Sequence, residues 1–147
     1  MLRYIALASG SKGNCHYISD GSTGVLIDCG IGPRRIFAQL DSVCANHPID
    51  AVFITHCHTD HVGAADKLER GLLRKTGKSI PFYLSKGTEL FSDERHLPQN
   101  IQRISAGDEV HVGELLVEAF SIPHDAPETL AYRVHGDGHW AGIITDL

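Results

Sequence analysis

The segment that most restricts the fold of this chain is a short apolar run that ends in a cluster of ionisable side chains. Residues 51–55 read Ala-Val-Phe-Ile-Thr, and residues 56–61 continue as His-Cys-His-Thr-Asp-His. A continuous apolar run of this length is typical of a strand buried on both faces, as in a parallel sheet covered by helices. Packing has no use for three imidazoles and a carboxylate in so short a loop. We therefore expect the chemistry of the protein at the end of this strand.

The rest of the chain predicts strands mixed with helices. Short apolar stretches predict strands at residues 4–8, 16–19, 25–28 and 81–84. Apolar residues at helical spacing predict helices at residues 33–44 and 64–77 and a short helical patch at 88–91. Later segments rich in strand-forming residues predict strands at 109–112, 115–122, 130–134 and 139–145. The predicted class is α/β or α+β, in one domain that spans residues 1–147.

The spacing of the ionisable residues is suited to metal binding. His56 and His58 are two positions apart, so in an extended segment their side chains share one face and can bind one metal ion. Asp60 and His61 follow where a turn can direct them to a second ion. Imidazole and carboxylate ligands suit Zn²⁺, Mn²⁺ or Fe, and an open coordination position lets a bound water ionise near neutral pH. The pattern indicates a metal-dependent hydrolase; a solvent-exposed turn with adventitious metal affinity is the alternative.

The string His-x-His-x-Asp-His after an apolar strand, with an Asp that ends the strand before it, resembles the metallo-β-lactamase fold superfamily. The resemblance implies that His56 and His58 belong to a first metal site and that Asp60 and His61 belong to a second. It also implies that Asp28 supports the site from behind. Asp60, between metal and substrate, is the expected catalytic residue, which would orient a water molecule or pass a proton to the leaving group.

Two later strand ends extend the resemblance. Residues 120–125 read Phe-Ser-Ile-Pro-His-Asp and place His124 where the superfamily has the third ligand of its first metal. Residues 143–146 read Ile-Ile-Thr-Asp and place Asp146 where an aspartate bridges the two metals. The resemblance therefore implies two divalent ions, zinc first and manganese or iron as alternatives, with a shared water as the nucleophile.

A finer resemblance points to the substrate. Residues 8–15, Ala-Ser-Gly-Ser-Lys-Gly-Asn-Cys, and residues 124–128 are similar to the YycJ/WalJ-like branch, which belongs with nuclease and phosphodiesterase relatives. This similarity implies a phosphodiester substrate, either a nucleic acid or a nucleotide. Ser11, Lys12 and Asn14 are the substrate-binding candidates, since glycines in this loop permit backbone N–H groups to meet an anion. A tight turn that serves only the sheet explains the same residues about as well.

Charge and hydropathy limit the classes of partner that the chain is expected to bind. The net charge of −5 provides no long-range attraction to phosphate or anionic lipid, so a nucleic acid would have to be held locally. The sequence shows neither a secretory signal nor a run of about 20 apolar residues, so we expect a cytoplasmic protein without a membrane partner. Three alternative functions stay open: a metal-binding but catalytically impaired protein, a hydrolase of thioesters or lactams, and an iron-dependent oxidoreductase.

The length of the chain also bears on the resemblance. Superfamily members usually continue past the bridging aspartate through further strands, helices and a final histidine ligand. The resemblance therefore implies that residues 1–147 form the N-terminal half to two-thirds of a four-layer αβ/βα sandwich, incomplete at its C-terminal end. We expect an apolar sheet face to be left uncovered, with self-association as the consequence.

Overall fold

The first half of the molecule is organised around a six-stranded sheet, seen in a computed structural model that describes residues 1–43 and 45–143. Its strands lie in sequence order and are β1 (Arg3–Ala8), β2 (Cys15–Ser19), β3 (Gly24–Ile27), β4 (Ala51–Phe53), β5 (Phe82–Leu84) and β6 (Ile101–Arg103). β1, β2 and β3 pair antiparallel, whereas β3 to β6 pair parallel. The parallel strands end at one edge of this first sheet, where ligand sites of such sheets form.

Helices connect the parallel strands, because parallel neighbours need a crossover. These helices are α1 (Pro33–Val43), α2 (Thr59–Val62), α3 (Ala65–Thr76) and α4 (Lys86–Phe91), followed by a 3₁₀ turn at Glu94–His96. α3 ends at Gly77, which takes a left-handed conformation with φ of 73° and donates its N–H to the carbonyl of Leu73. The helices predicted at 33–44 and 64–77 are thus confirmed to within a residue at their described ends. None of the helices in residues 1–43 and 45–143 has the length and apolar character to cross a bilayer.

A second, four-stranded sheet follows and is antiparallel throughout. It consists of β7 (Glu109–Val112), β8 (Leu115–Ser121), β9 (Leu130–Gly136) and β10 (His139–Ile143), in the order β10-β9-β8-β7. The predicted strands match these closely. The predicted end of the last strand, including Asp146, lies outside the described residues.

The inner strands β2, β3 and β4 of the first sheet are buried on both faces, because their apolar residues alternate between two cores. Leu26 points to the helices and joins Ile36 and Leu68 in one core. Its neighbours Val25 and Ile27 point to the second sheet and join a second core with residues such as Val117, Tyr132 and Val134. Each such side chain stabilises the fold by about 1.5–3 kcal/mol relative to exposure. The layers are therefore helices, first sheet and second sheet, and the predicted mixed class is confirmed.

The outer face of the second sheet carries large exposed side chains. Phe120 and Trp140 are 38% and 61% exposed, and the guanidinium of Arg133 lies 4.9 Å and 5.4 Å from their ring centroids. Glu118 lies on the same face and forms an ion pair with Arg133 at 2.7 Å. This face is thus partly apolar and partly charged, and self-association through it stays a prediction.

Two local differences from the sequence predictions lie next to the histidine cluster. The strand predicted at 25–28 ends at Ile27, because Asp28 adopts a left-handed φ of 67° that leaves the extended region. The strand predicted at 51–55 ends at Phe53, and the polar loop after it contains the single helical turn α2, which we did not predict. Both differences turn polar side chains into the site.

Candidate metal centre

The histidine cluster lies at the edge where both sheets end. His56 and His58 follow β4 of the first sheet, and His124 follows β8 of the second sheet. Two hydrogen bonds hold the sheets together there: the N–H of Leu130 donates to the carbonyl of Thr55 at 2.9 Å, and the hydroxyl of Tyr132 donates to the carbonyl of Ile54 at 2.6 Å. Residues far apart in the sequence are thereby fixed beside one another.

Three imidazoles converge at this edge. One ligand nitrogen from each of His56, His58 and His124 lies within 4.8 Å of the other two. The His56 ring centroid is 4.7 Å from that of His58 and 4.6 Å from that of His124. Zinc bonds of about 2.0–2.1 Å in tetrahedral geometry place such nitrogens about 3.4 Å apart. Small side-chain rotations would therefore suffice to bring the three nitrogens to one ion.

Asp28 and Thr55 orient the buried histidines. Asp28 is fully buried, and its Oδ2 lies 2.5 Å from Nδ1 of His61. The Thr55 hydroxyl lies 2.8 Å from the same oxygen and 2.9 Å from Nδ1 of His56. A carboxylate only accepts, so the Thr55 hydroxyl donates to Asp28 and accepts from the Nδ1–H of His56. This network assigns the proton to Nδ1 in both histidines and leaves both Nε2 atoms with a lone pair for a metal.

The second predicted pair, Asp60 and His61, also lies together. Oδ2 of Asp60 is 3.4 Å from Nε2 of His61. The side-chain amide of Asn14 lies 3.2 Å from each of these atoms and donates at 2.8 Å to the carbonyl of Gly10. Helix α2 is the reason for this arrangement, since its single turn rotates Asp60 and His61 inward after the extended segment at His56 and His58. His61 is fully buried, and the Asp60 side chain is 25% exposed.

Three loops cross at Gly30. The N–H of Gly30 donates to the carbonyl of Asn14 at 2.9 Å, and the N–H of Asn14 donates to the carbonyl of Asp60 at 2.7 Å. A Cβ added at Gly30 would lie 1.9 Å from that carbonyl oxygen of Asp60. Only glycine therefore permits this crossing, which holds the loop of Asn14 against the loop of Asp60.

Burial keeps His56 neutral. Desolvation lowers the pKa of His56 to about 4, and positive charge on His61, on His124 and on His58 would lower it as well, whereas Asp28 opposes the shift. A neutral imidazole has the lone pair that a metal requires. The charge state of His56 near neutral pH thus suits a ligand.

His124 provides an independent test of whether a metal fits. Its Nε2 is buried and makes no hydrogen bond within the described part of the chain; Oδ1 of Asp125, 3.0 Å away, is not aligned to accept one. A buried polar atom without a hydrogen bond is costly unless another partner satisfies it. A metal ion shared with His56 and His58 would satisfy it, and the all-imidazole donor set suits zinc.

The remaining predicted residues are placed as follows. Ser11 and Lys12 are exposed at the tip of the loop 9–14. Asn14 is buried, and its side chain points to Asp60 and His61 rather than to solvent. The backbone N–H groups of Gly10 and Gly13 are bonded within the loop, to Asn14 Oδ1 and to the carbonyl of Gly10, so they do not form the anion-binding turn considered from the sequence.

Sequence reasoning missed Thr55. Thr55 is fully buried, and both its backbone N–H and its hydroxyl donate to Asp28. A threonine at the end of an apolar run is common in strands, and that ordinary role concealed its polar one. Its position directly before His56 and its hydroxyl were the available signals.

A family model described as "Beta-lactamase superfamily domain" matches residues 23–147. Among curated proteins, the chain is 29% identical over 151 residues to the exodeoxyribonuclease YycJ of Bacillus anthracis, an alignment that covers 99% of this chain and 54% of that protein. It is 32% identical over 114 residues to the ribonuclease Z of Methanopyrus kandleri, across 76% of this chain and 40% of that protein. The chain thus spans about half the length of the curated relatives that it matches.

Solved structures share the fold. The metallo-beta-lactamase fold protein YhfI from Bacillus subtilis superposes with a TM-score of 0.72 at 16% identity, over 96% of this chain and 61% of that one. The Rm3 metallo-beta-lactamase superposes with a TM-score of 0.67 at 20% identity, over 90% of this chain and 55% of that one. These neighbours confirm the predicted fold, and the shares covered agree with the prediction of a partial sandwich.

Proposed function

This chain belongs to the β-lactamase superfamily, and from that premise we propose that it is a metal-dependent hydrolase that cleaves phosphodiester bonds of nucleic acids. The observation that supports this proposal most is the convergence of His56, His58 and His124 from two sheets onto one point. The choice of substrate rests on the relatives, which include an exodeoxyribonuclease and ribonucleases.

We propose that His56, His58 and His124 would hold a first metal ion, and that Asp60, His61 and Asp146 would hold a second. Zinc is the preferred ion because imidazoles dominate the donor set. A divalent metal at this centre would polarise the phosphoryl oxygen and lower the pKa of water to supply the nucleophile.

The side chains around the centre prepare it for this chemistry. The Nδ1–H of His61 donates to Asp28. The Nδ1–H of His56 donates to the Thr55 hydroxyl, which in turn donates to Asp28, so each Nε2 keeps its lone pair. The negative charge of Asp28 also makes the His61 imidazole a stronger donor to a cation. Both rings are held by buried partners and need no rearrangement during a reaction cycle.

Asp60 is the candidate for proton transfer. Its carboxylate is partly exposed and lies beside both His61 and the Asn14 amide, so it faces the site from the solvent side. A carboxylate in that position can accept a proton from water or return one to the leaving 3′ or 5′ oxygen of a cleaved strand. We therefore keep Asp60 as the proposed catalytic residue.

The test combines metal content with turnover. Elemental analysis of the purified chain should find about two zinc ions per chain, and hydrolysis of a bis-aryl phosphodiester and of a single-stranded oligodeoxynucleotide should depend on them. His58→Ala should lose metal and turnover together. His111→Ala, which removes an exposed histidine of β7, should keep both.

Two results would count against the proposal. Metal binding without turnover above the rate of the free ion would indicate a metal-binding protein without activity. Faster turnover of a lactam or a thioester than of either phosphodiester would support a hydrolase but reject phosphodiesters as its substrate.

A further inference from the structure

The outer surface of the helix layer has a charge opposite to that of the whole chain. α1 and α3 contain six of the 13 lysines and arginines but only three of the 18 aspartates and glutamates. The three acids are already engaged: Asp41 contacts His47, Asp66 pairs with Arg70, and buried Glu69 accepts two backbone N–H groups. The helix pair thus forms a positive surface on a molecule of net charge −5.

A groove of about 510 Å³ runs between these two helices. Its lining consists of Gly32, Pro33, Arg34, Phe37, Gly71, Arg74 and Lys75. A Cβ added at Gly71 would lie 3.1 Å from Cβ of Pro33, so the glycine lets the helices approach closely and shapes the floor. Lys75 is held at the rim because its ammonium lies 4.2 Å from the centroid of the Phe37 ring.

The rim of the groove is cationic and open to solvent. Arg34 on α1 and Arg74 on α3 are both exposed, and neither forms an ion pair with any residue of the described ranges 1–43 and 45–143. Arginines from two helices therefore line the same concave space, and no carboxylate of the described residues pairs with them. A polyanion that lies along the groove would be contacted from both sides.

The first residues of the groove lie close in sequence to the candidate metal centre. Its first residues, Gly32 and Pro33, follow directly after the loop 28–31 that carries Asp28. In that loop the N–H of Cys29 donates to the carbonyl of His61 at 2.6 Å, and its carbonyl accepts from the N–H of Ala64 at 3.0 Å. The loop of Asp28 thus links the metal centre to the first residues of the groove along the chain.

We propose that this groove, which we call the α1/α3 groove, binds the phosphate backbone of a single-stranded nucleic acid whose scissile bond lies at the metal centre. The inference rests on the proposed function and adds to it a binding surface for the strand beyond the cleaved bond. A single strand suits the groove because the space between two packed helices is too narrow for a duplex. A membrane surface suits it less, because the Phe37 side chain is partly buried and the Lys75 ammonium lies 4.2 Å from its ring centroid.

The test compares two variants that remove equal charge. Arg34→Gln/Arg74→Gln removes one cation from each side of the groove, and Lys78→Gln/Lys86→Gln removes two exposed cations that do not line it. Binding of a fluorescent single-stranded oligonucleotide is followed by anisotropy over a range of salt concentrations, with a chelator present so that no cleavage occurs. Anionic phosphatidylglycerol vesicles are the second probe.

The salt dependence of oligonucleotide binding distinguishes the groove variant from the control. Each lost phosphate contact lowers the slope of log K against log[salt] by about 0.7 for single strands, so the groove variant should lose about 1.4 from the slope and the control should lose far less. With zinc added, turnover of a bis-aryl phosphodiester should be unchanged in the groove variant, because that substrate has no strand to occupy the groove.

The outcomes separate this inference from the proposed function. Equal slopes for the two variants, or no binding of the oligonucleotide by the unmodified chain, would overturn the groove even if phosphodiesters are cleaved. Tighter binding to the vesicles than to the oligonucleotide would overturn it in favour of a lipid surface. Binding that depends on Arg34 and Arg74 in a chain without phosphodiesterase activity would uphold the groove and reject the proposed reaction.

Discussion

Replacement of Thr55 by valine is the substitution that tests the internal order of the metal centre most directly. Valine keeps the shape of threonine and exchanges one hydroxyl for a methyl group. The hydroxyl lies 2.8 Å and 3.0 Å from the two carboxylate oxygens of Asp28 and 2.9 Å from Nδ1 of His56. Thr55→Val therefore takes a donor from a fully buried carboxylate and an acceptor from a buried imidazole while leaving the packing almost unchanged.

The expected magnitude follows from these contacts. A hydrogen bond to a charged group contributes about 1.5–3 kcal/mol, so the metal-free variant should lose about 2 kcal/mol in its free energy of unfolding. For a chain of this size the loss corresponds to a fall of roughly 4–8 °C in melting temperature. Groups that orient metal ligands typically change metal affinity by about 10–100-fold, so zinc affinity should fall within that range.

Thr55→Ser is the matched control, because serine keeps the hydroxyl and loses one methyl group. It should cost about 1 kcal/mol through the lost apolar contact and leave zinc affinity nearly unchanged. Urea unfolding of the metal-free proteins measures their stability, and competition with a chromogenic chelator measures their affinity for zinc. Equal zinc affinity in the valine and serine variants would refute the relay from Asp28 through Thr55 to His56.

Three further predictions concern the same region. Burial lowers the pKa of His56 from 6.5 to about 4, so the unfolded chain binds the proton more readily than the folded chain. The free energy of unfolding of the metal-free protein should therefore fall by up to about 3 kcal/mol as pH falls from 6.5 to 4. Urea unfolding should show a shallower pH dependence in His56→Gln, and an identical dependence would contradict the assignment of this pKa to His56. Gly30→Ala should destabilise the fold by more than about 2 kcal/mol because its Cβ meets a backbone oxygen at 1.9 Å, whereas Gly32→Ala, with nothing within 4 Å, should be nearly neutral in thermal unfolding. Zinc added to the metal-free chain at about 100 times its dissociation constant should raise the free energy of unfolding by about 2.7 kcal/mol. An equal gain in His58→Ala would show that the ion binds elsewhere.

The sequence predicted those parts of the site that depend on local order. From their spacing and from the apolar strand before them, His56 and His58 were expected to lie together. The structure brings them together, and their role as metal ligands stays a prediction. His124 could not be predicted in this way, because it lies 66 positions after His58 in the sequence. Only the resemblance to a known superfamily pointed to it. Its approach depends on the packing of one sheet against the other, which involves many weak contacts and no single motif.

The orientation of the Asn14 side chain could not be predicted from the sequence, for a different reason. Its side chain turns inward because the loops of Asn14 and Asp60 cross at Gly30, a contact between segments that are distant in sequence. The left-handed conformation of Asp28 was also not foreseen, since aspartate adopts it only when the surrounding structure requires it. In both cases the tertiary structure decides between conformations that the local sequence permits.

The placement of the histidines on two sheets makes a bound ion a non-covalent cross-link. His58 extends from the first sheet and His124 from the second, so an ion held by both would close a loop of 66 residues. Because these ligands lie together only in the folded chain, such an ion would stabilise the folded state by mass action, by about 2.7 kcal/mol at about 100 times its dissociation constant. With the proposed ion bound, metal supply would govern how long the protein survives as a folded molecule, and withholding the metal would expose the chain to proteolysis. The amide proton of Leu130, which is hydrogen-bonded to the carbonyl of Thr55 where the sheets meet, should exchange faster when the ion is removed.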